Sequence, residues 1–174
     1  IISIRAPYDL QPYGNAWYAI NFDAAQNKFS DLDQAEKSLK KLRQFIEQCK
    51  QEYDIDPQRV HLIGFSQGAI LSTAHALRYP KSIHKVAAMS GYLNEEFISD
   101  MDALKTQLNN LDPAEKPDFF VSHGTMDSVI PYSWAERTPG ILEKLGIAHT
   151  FKSYPAGHGV TPDNFQDLLD FLRK

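Results

Sequence analysis

Short apolar runs alternate along this chain with longer stretches in which apolar residues recur every three or four positions. A change of period from two to 3.6 predicts strands interleaved with helices. The strand candidates are residues 1–5, 59–64, 85–90, 118–122 and 149–154, most of them rich in β-branched or aromatic side chains, and their short apolar character fits buried strands. Between the first two, Leu32, Ala35, Leu39, Leu42, Phe45, Ile46 and Cys49 trace the stripe of an amphipathic helix, with Ser30 as its expected N-cap. A second helix is expected over residues 67–78, stopped by Tyr79-Pro80 because proline disfavours a helical residue before it. A weaker one covers residues 101–109. A fourth covers residues 134–145 and ends at Gly146, with Pro139-Gly140 forcing a kink or a late start. Thr161 as N-cap and Pro162 at the first helical position open the last helix, whose expected apolar face is Phe165, Leu168, Leu169 and Leu172. The polar segment 94–117, with Pro113 and Pro117, reads as an excursion over the sheet edge rather than a second domain.

Strands alternating with helices imply an α/β fold, a mostly parallel sheet with helices on both faces. The 174 residues fit one domain, residues 1–174, large enough to bury its own core. Apolar residues at 43% and charged ones at 23% are those of an ordinary globular protein. With 22 acidic against 18 basic residues and no basic stripe, nucleic acid is excluded as a partner. No apolar run reaches the roughly 18 to 20 residues that a transmembrane helix needs. The single cysteine, Cys49, forms no internal disulfide and falls on the helix stripe, so it reads as a packing residue rather than a nucleophile, and a cytoplasmic location is expected. A homodimer is compatible with the chain.

Chemistry concentrates in Gly64-Phe65-Ser66-Gln67-Gly68, a G-x-S-x-G pattern placed where an apolar strand meets a helix. In that context the serine sits on a sharp turn that needs small flanking residues, and the backbone N–H of Gln67 lies at the positive end of the following helix, where an oxyanion is stabilised. A serine hydroxyl needs a general base that is itself oriented by a carboxylate. His158, in a loop flanked by Gly157 and Gly159, is the best-placed base, and His123 at the end of a strand is its rival. His61, His75, His84 and His149 read as structural or solvent-facing. Asp127 completes the order Ser, Asp, His; Asp163 is the rival acid, more simply explained by the dipole of the last helix. Trp17 and Tyr18, with Tyr8, Tyr13 and Phe22, either wall a substrate groove or anchor a long loop. No metal-ligand spacing and no Gly-rich phosphate loop occurs, so neither a metal nor a cofactor is implied.

Taken together, GFSQGA, HGTMD followed by Val129-Ile130-Pro131, and GHGV resemble the phospholipase/carboxylesterase family of α/β-hydrolases, which includes acyl-protein thioesterases and small esterases. The resemblance extends over nearly the whole chain, including Arg5-Ala6-Pro7 and the Trp17 region. It implies a triad of Ser66, Asp127 and His158, an oxyanion amide from Gln67, and a small-molecule or lipid-like acyl ester as substrate, hydrolysed through an acyl-enzyme. Thioester or lysophospholipid hydrolysis is the alternative, and a non-catalytic binding protein on the same fold is the reading of a different class. The family's second oxyanion donor lies in a loop after an earlier strand. Because the chain starts at Ile1 without a methionine, directly in a strand-like run, about 25 to 45 further residues that carry that loop are expected ahead of it.

Overall fold

A computed structural model of the chain describes residues 1–12, 14–22 and 28–174, and the chain divides into two compact units, Ile1–Tyr53 and Asp54–Lys174. In the first unit, β1 (Tyr8–Asp9) pairs antiparallel with β2 (Asn15–Ala16), and β3 (Ile20–Phe22) with β4 (Lys28–Ser30). Residues 1–5 form no strand, although their pattern suits one, and Ile1 and Ile2 are exposed. A strand is completed by a hydrogen-bonded neighbour, and among the described residues none pairs with this run. The helix α1 (Leu32–Glu52) buries Ala35, Ser38, Leu39, Leu42 and Ile46 on the expected stripe, with Cys49 half-buried along it. Its cap is Asp31, not Ser30: the Asp31 carboxylate accepts from Gln34 N–H at 2.9 Å, while Ser30 is taken up by the β3–β4 ladder. An acid gains more than a hydroxyl at this position because it also meets the positive end of the helix dipole.

The second unit runs β5 (His61–Phe65), α2 (Gln67–Arg78), β6 (Lys85–Met89), α3 (Met101–Asn109), β7 (Asp118–Gly124), α4 (Tyr132–Ala135), α5 (Thr138–Lys144), β8 (His149–Tyr154) and α6 (Pro162–Arg173). Its sheet is parallel in the order β5-β6-β7-β8, as strand–helix alternation requires. The expected fourth helix is broken into α4 and α5, and Pro139 lies in the first turn of the latter, where a missing N–H costs nothing. The 94–117 excursion holds α3 between two short 3-10 turns, Glu95–Phe97 and Pro113–Glu115.

The pleat decides which helix meets which residue. Ala87, Met89 and Phe120 pack against Leu168 and Phe171 of α6, while Val86, Ala88, Phe119 and Val121 point to the opposite face and are buried as well. Both faces of β6 and β7 are therefore covered, and a ring such as Phe120, 1% exposed, contributes about 1.5 to 3 kcal/mol by leaving water. The apolar face of α6 is rotated from the one expected: Asn164, Leu168 and Phe171 are buried, whereas Phe165 is 53% exposed. What turns the helix is Phe171, whose ring meets Phe120 at 5.7 Å between centroids. Among the described residues β5 and β8 are the outer strands of this sheet; Ile63 and Phe65 on one face of β5 are 51% and 40% exposed and β8 buries only Tyr154, so the expectation of burial holds for β6 and β7 but for neither β5 nor β8. Among the described residues no helix is long and apolar enough to cross a membrane.

At the N-terminal end of the sheet, His61, Lys85 and Asp118 stand in register on adjacent strands. Lys85 Nζ donates to the Phe171 carbonyl at 2.9 Å, a cation closing the C-terminal end of α6. The ring of His61 lies edge-on to His84, and burial, followed by repulsion from His84, Lys85 and Arg59, holds its pKa below the ordinary 6.5. A histidine depressed in the fold binds its proton more readily when unfolded, so its contribution is intact above about pH 6.5 and is lost as pH falls below it. Thermal melts from pH 7.5 down to 5.5 are expected to shift less for His61→Gln than for the parent; equal shifts would remove His61 from the acid response.

Candidate active site

Between β5 and α2 the chain turns within a single residue. Ser66 has φ 54° and ψ −121°, a left-handed conformation that costs a non-glycine residue about 1 to 3 kcal/mol. The turn is held from outside: Ser66 N–H donates to Met89 O at 2.9 Å, and Ser66 O accepts from Ala69 and Ile70 N–H. Gly64 makes it sterically feasible, since a Cβ there would stand 2.3 Å from Gly68 O. Ser66 is thereby lifted to the C-terminal end of the sheet with the Gln67 amide beside it as the first residue of α2.

The other two side chains come from the loops after β7 and β8, which are zipped together. Thr125 N–H donates to Tyr154 O at 2.8 Å and Met126 N–H to Ala156 O at 3.0 Å. This crossing brings Asp127 and His158 face to face: His158 Nδ1–H donates to Asp127 Oδ2 at 2.7 Å, and His158 Nε2 lies 3.0 Å from Ser66 Oγ. Asp127 Oδ1 accepts from the N–H groups of Val129 at 2.8 Å and Ile130 at 2.9 Å. Burial alone would raise the Asp127 pKa, but the bond from His158 and those from the Ile130 and Val129 amides overcome it and hold the carboxyl below its ordinary range. Asp127 is therefore an anion whose one lateral oxygen faces the imidazole. Nδ1 carries the ring proton, and Nε2 is left as an acceptor aimed at the serine hydroxyl.

Of the residues singled out from sequence, Ser66, Asp127 and His158 come together in one chain of hydrogen bonds, with the Gln67 amide adjacent. The rival acid Asp163 is exposed in the first turn of α6. His123 is wholly buried at the end of β7, with Nε2 2.9 Å from Ile130 O. His61 and His84 lie at the opposite end of the sheet, His75 is buried within α2, and His149 contacts its own loop at Ile147 O. In the first unit Tyr18 is 1% exposed and Trp17 half-buried, with the Trp17 carbonyl accepting from Ser38 Oγ and Ala19 N–H donating to Gln34 Oε1 at 2.8 Å. These bonds tie the segment to α1, which is one of the two roles left open for it. Tyr13 and the side chain of Phe22 lie outside the described residues.

Two neighbours of the relay went unnoticed in the sequence. Phe65 packs its ring on His158 at 4.9 Å between centroids, and it was readable only as the variable position of G-x-S-x-G. Ser90, at the end of β6, is buried with φ 49° and directs its hydroxyl to Gly159 O, 3.5 Å away and next to His158. Its sequence signal is the Ser90-Gly91 pair that follows an apolar run.

Gly124 is where the two loops cross, and a Cβ there would stand 2.3 Å from both Ala156 O and Gly157 O. Gly124→Ala is expected to cost about 1 to 3 kcal/mol in overpacking. It also moves His158 off Ser66, so any turnover that depends on this relay falls by about 10². A denaturation midpoint and rate both within error of the parent would show that the loops yield without cost.

Residues 1–174 match the family profile described as Phospholipase/Carboxylesterase. Acyl-protein thioesterase 1 of Aspergillus fumigatus is 34% identical over 122 residues, which are 69% of this chain and 48% of that protein. The probable carboxylesterase SOBER1-like of Arabidopsis thaliana is 31% identical over 121 residues, 69% of this chain and 44% of its own length. The chain thus spans about half the length of these curated relatives. The crystal structure of esterase PE8 superposes with a TM-score of 0.77 at 26% identity, covering 97% of this chain and 75% of that one.

Proposed function

The chain belongs to the phospholipase/carboxylesterase family and has the α/β-hydrolase fold, and from that premise we propose that it hydrolyses carboxylic esters through an acyl-enzyme on Ser66. The observation that carries this reading is the continuous relay of 3.0 Å and 2.7 Å from Ser66 Oγ through His158 to a buried, ionised Asp127. Ser66 Oγ attacks the acyl carbon as its proton passes to His158 Nε2, and the imidazolium so formed is stabilised by Asp127 Oδ2. The Gln67 N–H stabilises the tetrahedral oxyanion. Collapse returns the proton from Nε2 to the departing alcohol and leaves the acyl group on Ser66; a water, deprotonated by the same nitrogen, then releases the acid.

A fluorophosphonate probe is the direct test. It is expected to phosphonylate Ser66, located by mass spectrometry of the labelled peptide, and not to label Ser66→Ala. Folded protein that resists the probe would overturn the reading in favour of a binding role on the same fold. Relatives of this chain carry both carboxylesterase and acyl-protein thioesterase names, and the acyl-enzyme route serves both leaving groups. Rates on paired oxygen esters and thioesters of rising acyl length distinguish them: a preference for short oxygen esters supports the carboxylesterase, and a preference for long thioesters the alternative.

A further inference from the structure

Beside Asp127, against the same oxygen that accepts from His158, stands a second imidazole that the hydrolytic scheme does not use. His123 is the penultimate residue of β7, its side chain is 0% exposed, and its Nε2 lies 2.9 Å from Ile130 O and 3.3 Å from Asp127 Oδ2. A carbonyl oxygen only accepts, so Nε2 carries the proton. Among the described residues the other nitrogen, Nδ1, is buried without a hydrogen-bond partner. A second proton there would be a buried donor with nothing to receive it, so the ring is neutral, protonated at Nε2 alone.

Ile130 joins the two residues through its two flanking peptide groups. Its N–H donates to Asp127 Oδ1 at 2.9 Å and its C=O, in the next peptide group, accepts from His123, so the loop from Asp127 to Ile130 is held through both backbone polar groups of one residue. We propose that His123 is a positioning residue for the hydrolysis proposed above: its Nε2–H clamps the Asp127 loop through Ile130 O and lies against Asp127 Oδ2, fixing the roll of the carboxylate that orients His158. Neutrality matters to the role. A cation at this distance would compete for the Asp127 charge and weaken the imidazolium formed at His158, whereas a neutral N–H fixes the oxygen and leaves the full negative charge to the reaction. Tyr132, whose ring lies 6.2 Å from that of His123, packs beside it and adds no formal charge.

The inference rests on the hydrolase reading, and its test separates the two. With the parent labelled by fluorophosphonate and turning over an ester, His123→Leu is expected to lower kcat by about 10- to 10²-fold at unchanged KM, because the carboxylate loses its orientation but the substrate contacts remain. His123→Gln, whose amide nitrogen reaches the position of Nε2, is expected to recover most of that loss. His123→Leu with parental kcat, or a Gln variant as slow as the Leu variant, would overturn the positioning role while leaving the hydrolase reading intact; absence of labelling in the parent would overturn the reading itself. Should the Leu variant not fold, nitrogen-15 spectra of the parent's imidazoles still decide: His123 is expected with a proton on Nε2 and a bare Nδ1 at neutral pH, and a proton on Nδ1 would refute the clamp.

Discussion

Ser66→Ala and His158→Ala are each expected to lower kcat by about 10⁶, and the double variant to be hardly slower than either. The relay works as a unit: without Oγ there is nothing for His158 Nε2 to deprotonate, and without the ring Oγ keeps its proton, so the second deletion removes nothing further. The two variants should differ in stability. Ser66→Ala keeps every backbone bond that holds the turn, and its melting temperature should match the parent's. His158→Ala takes from buried Asp127 the 2.7 Å bond that helps to hold its pKa down. A carboxyl depressed in the fold contributes stability above its unfolded pKa and loses it as pH falls, so this variant should melt lower near neutrality and converge on the parent in acid. Parallel kinetics and melts at several pH values check both points. A His158→Ala enzyme within tenfold of the parent would transfer the base role to another group.

Asp127→Asn is expected to reduce kcat by about 10⁴ while leaving the fold in place. The direction follows from the donors around the carboxylate. Val129 and Ile130 N–H both point at Oδ1, so an asparagine would place its carbonyl oxygen there and its NH₂ at the position of Oδ2. That NH₂ would face His158 Nδ1 as a donor, obliging the ring to carry its proton on Nε2. In that tautomer Nε2 points a hydrogen at Ser66 Oγ and cannot accept one. The same NH₂ would also meet the His123 N–H, donor against donor, across the former 3.3 Å contact. Steady-state kinetics with a melting curve tests the prediction, and retention of even a tenth of parental kcat would return Asp163 to consideration.

The sequence made the local features legible where two signals coincided. Gln67–Arg78 and His149–Tyr154 fall on the expected limits because periodicity and a breaker agree there: Tyr79-Pro80 after the helix, and the Gly157 region after the strand. The elbow was legible because G-x-S-x-G stood between an apolar run and a helical one. The weaker signal over residues 101–109 also sufficed for α3, but elsewhere a single signal misplaced details. Ser30 and Asp31 are adjacent competent caps, and the choice was made by the β3–β4 ladder that engages Ser30. Phe165 and Phe171 both suit an amphipathic face, and only the presence of Phe120 on β7 selects the latter. Among the candidate site residues, the meeting of Ser66, Asp127 and His158 in one hydrogen-bonded chain was expected from chain order and residue type. The clamp by His123 was not, because a contact between the end of β7 and the carbonyl of Ile130 exists only after the loop has closed on itself.

The order of strands also bears on which parts of the chain are free to change length. Neighbouring strands stand about 4.8 Å apart, and β6 separates β5, which presents Ser66, from β7, which presents Asp127. The distance across the relay is therefore set by hydrogen-bond ladders, with β6 as a spacer that supplies Met89 O to fix Ser66 and none of the three relay side chains. The 94–117 excursion leaves from the top of that spacer and re-enters at the bottom of β7, so its length has no bearing on the relay. Its exposed residues Asn109 and Asn110, at the end of α3, are where insertions between homologous chains can accumulate. The connection from β7 to α4 has no such freedom, since one residue gained between Gly124 and Ile130 would rotate the acid away from the base. Natural variation in length should thus be concentrated in one crossover and nearly absent from the other.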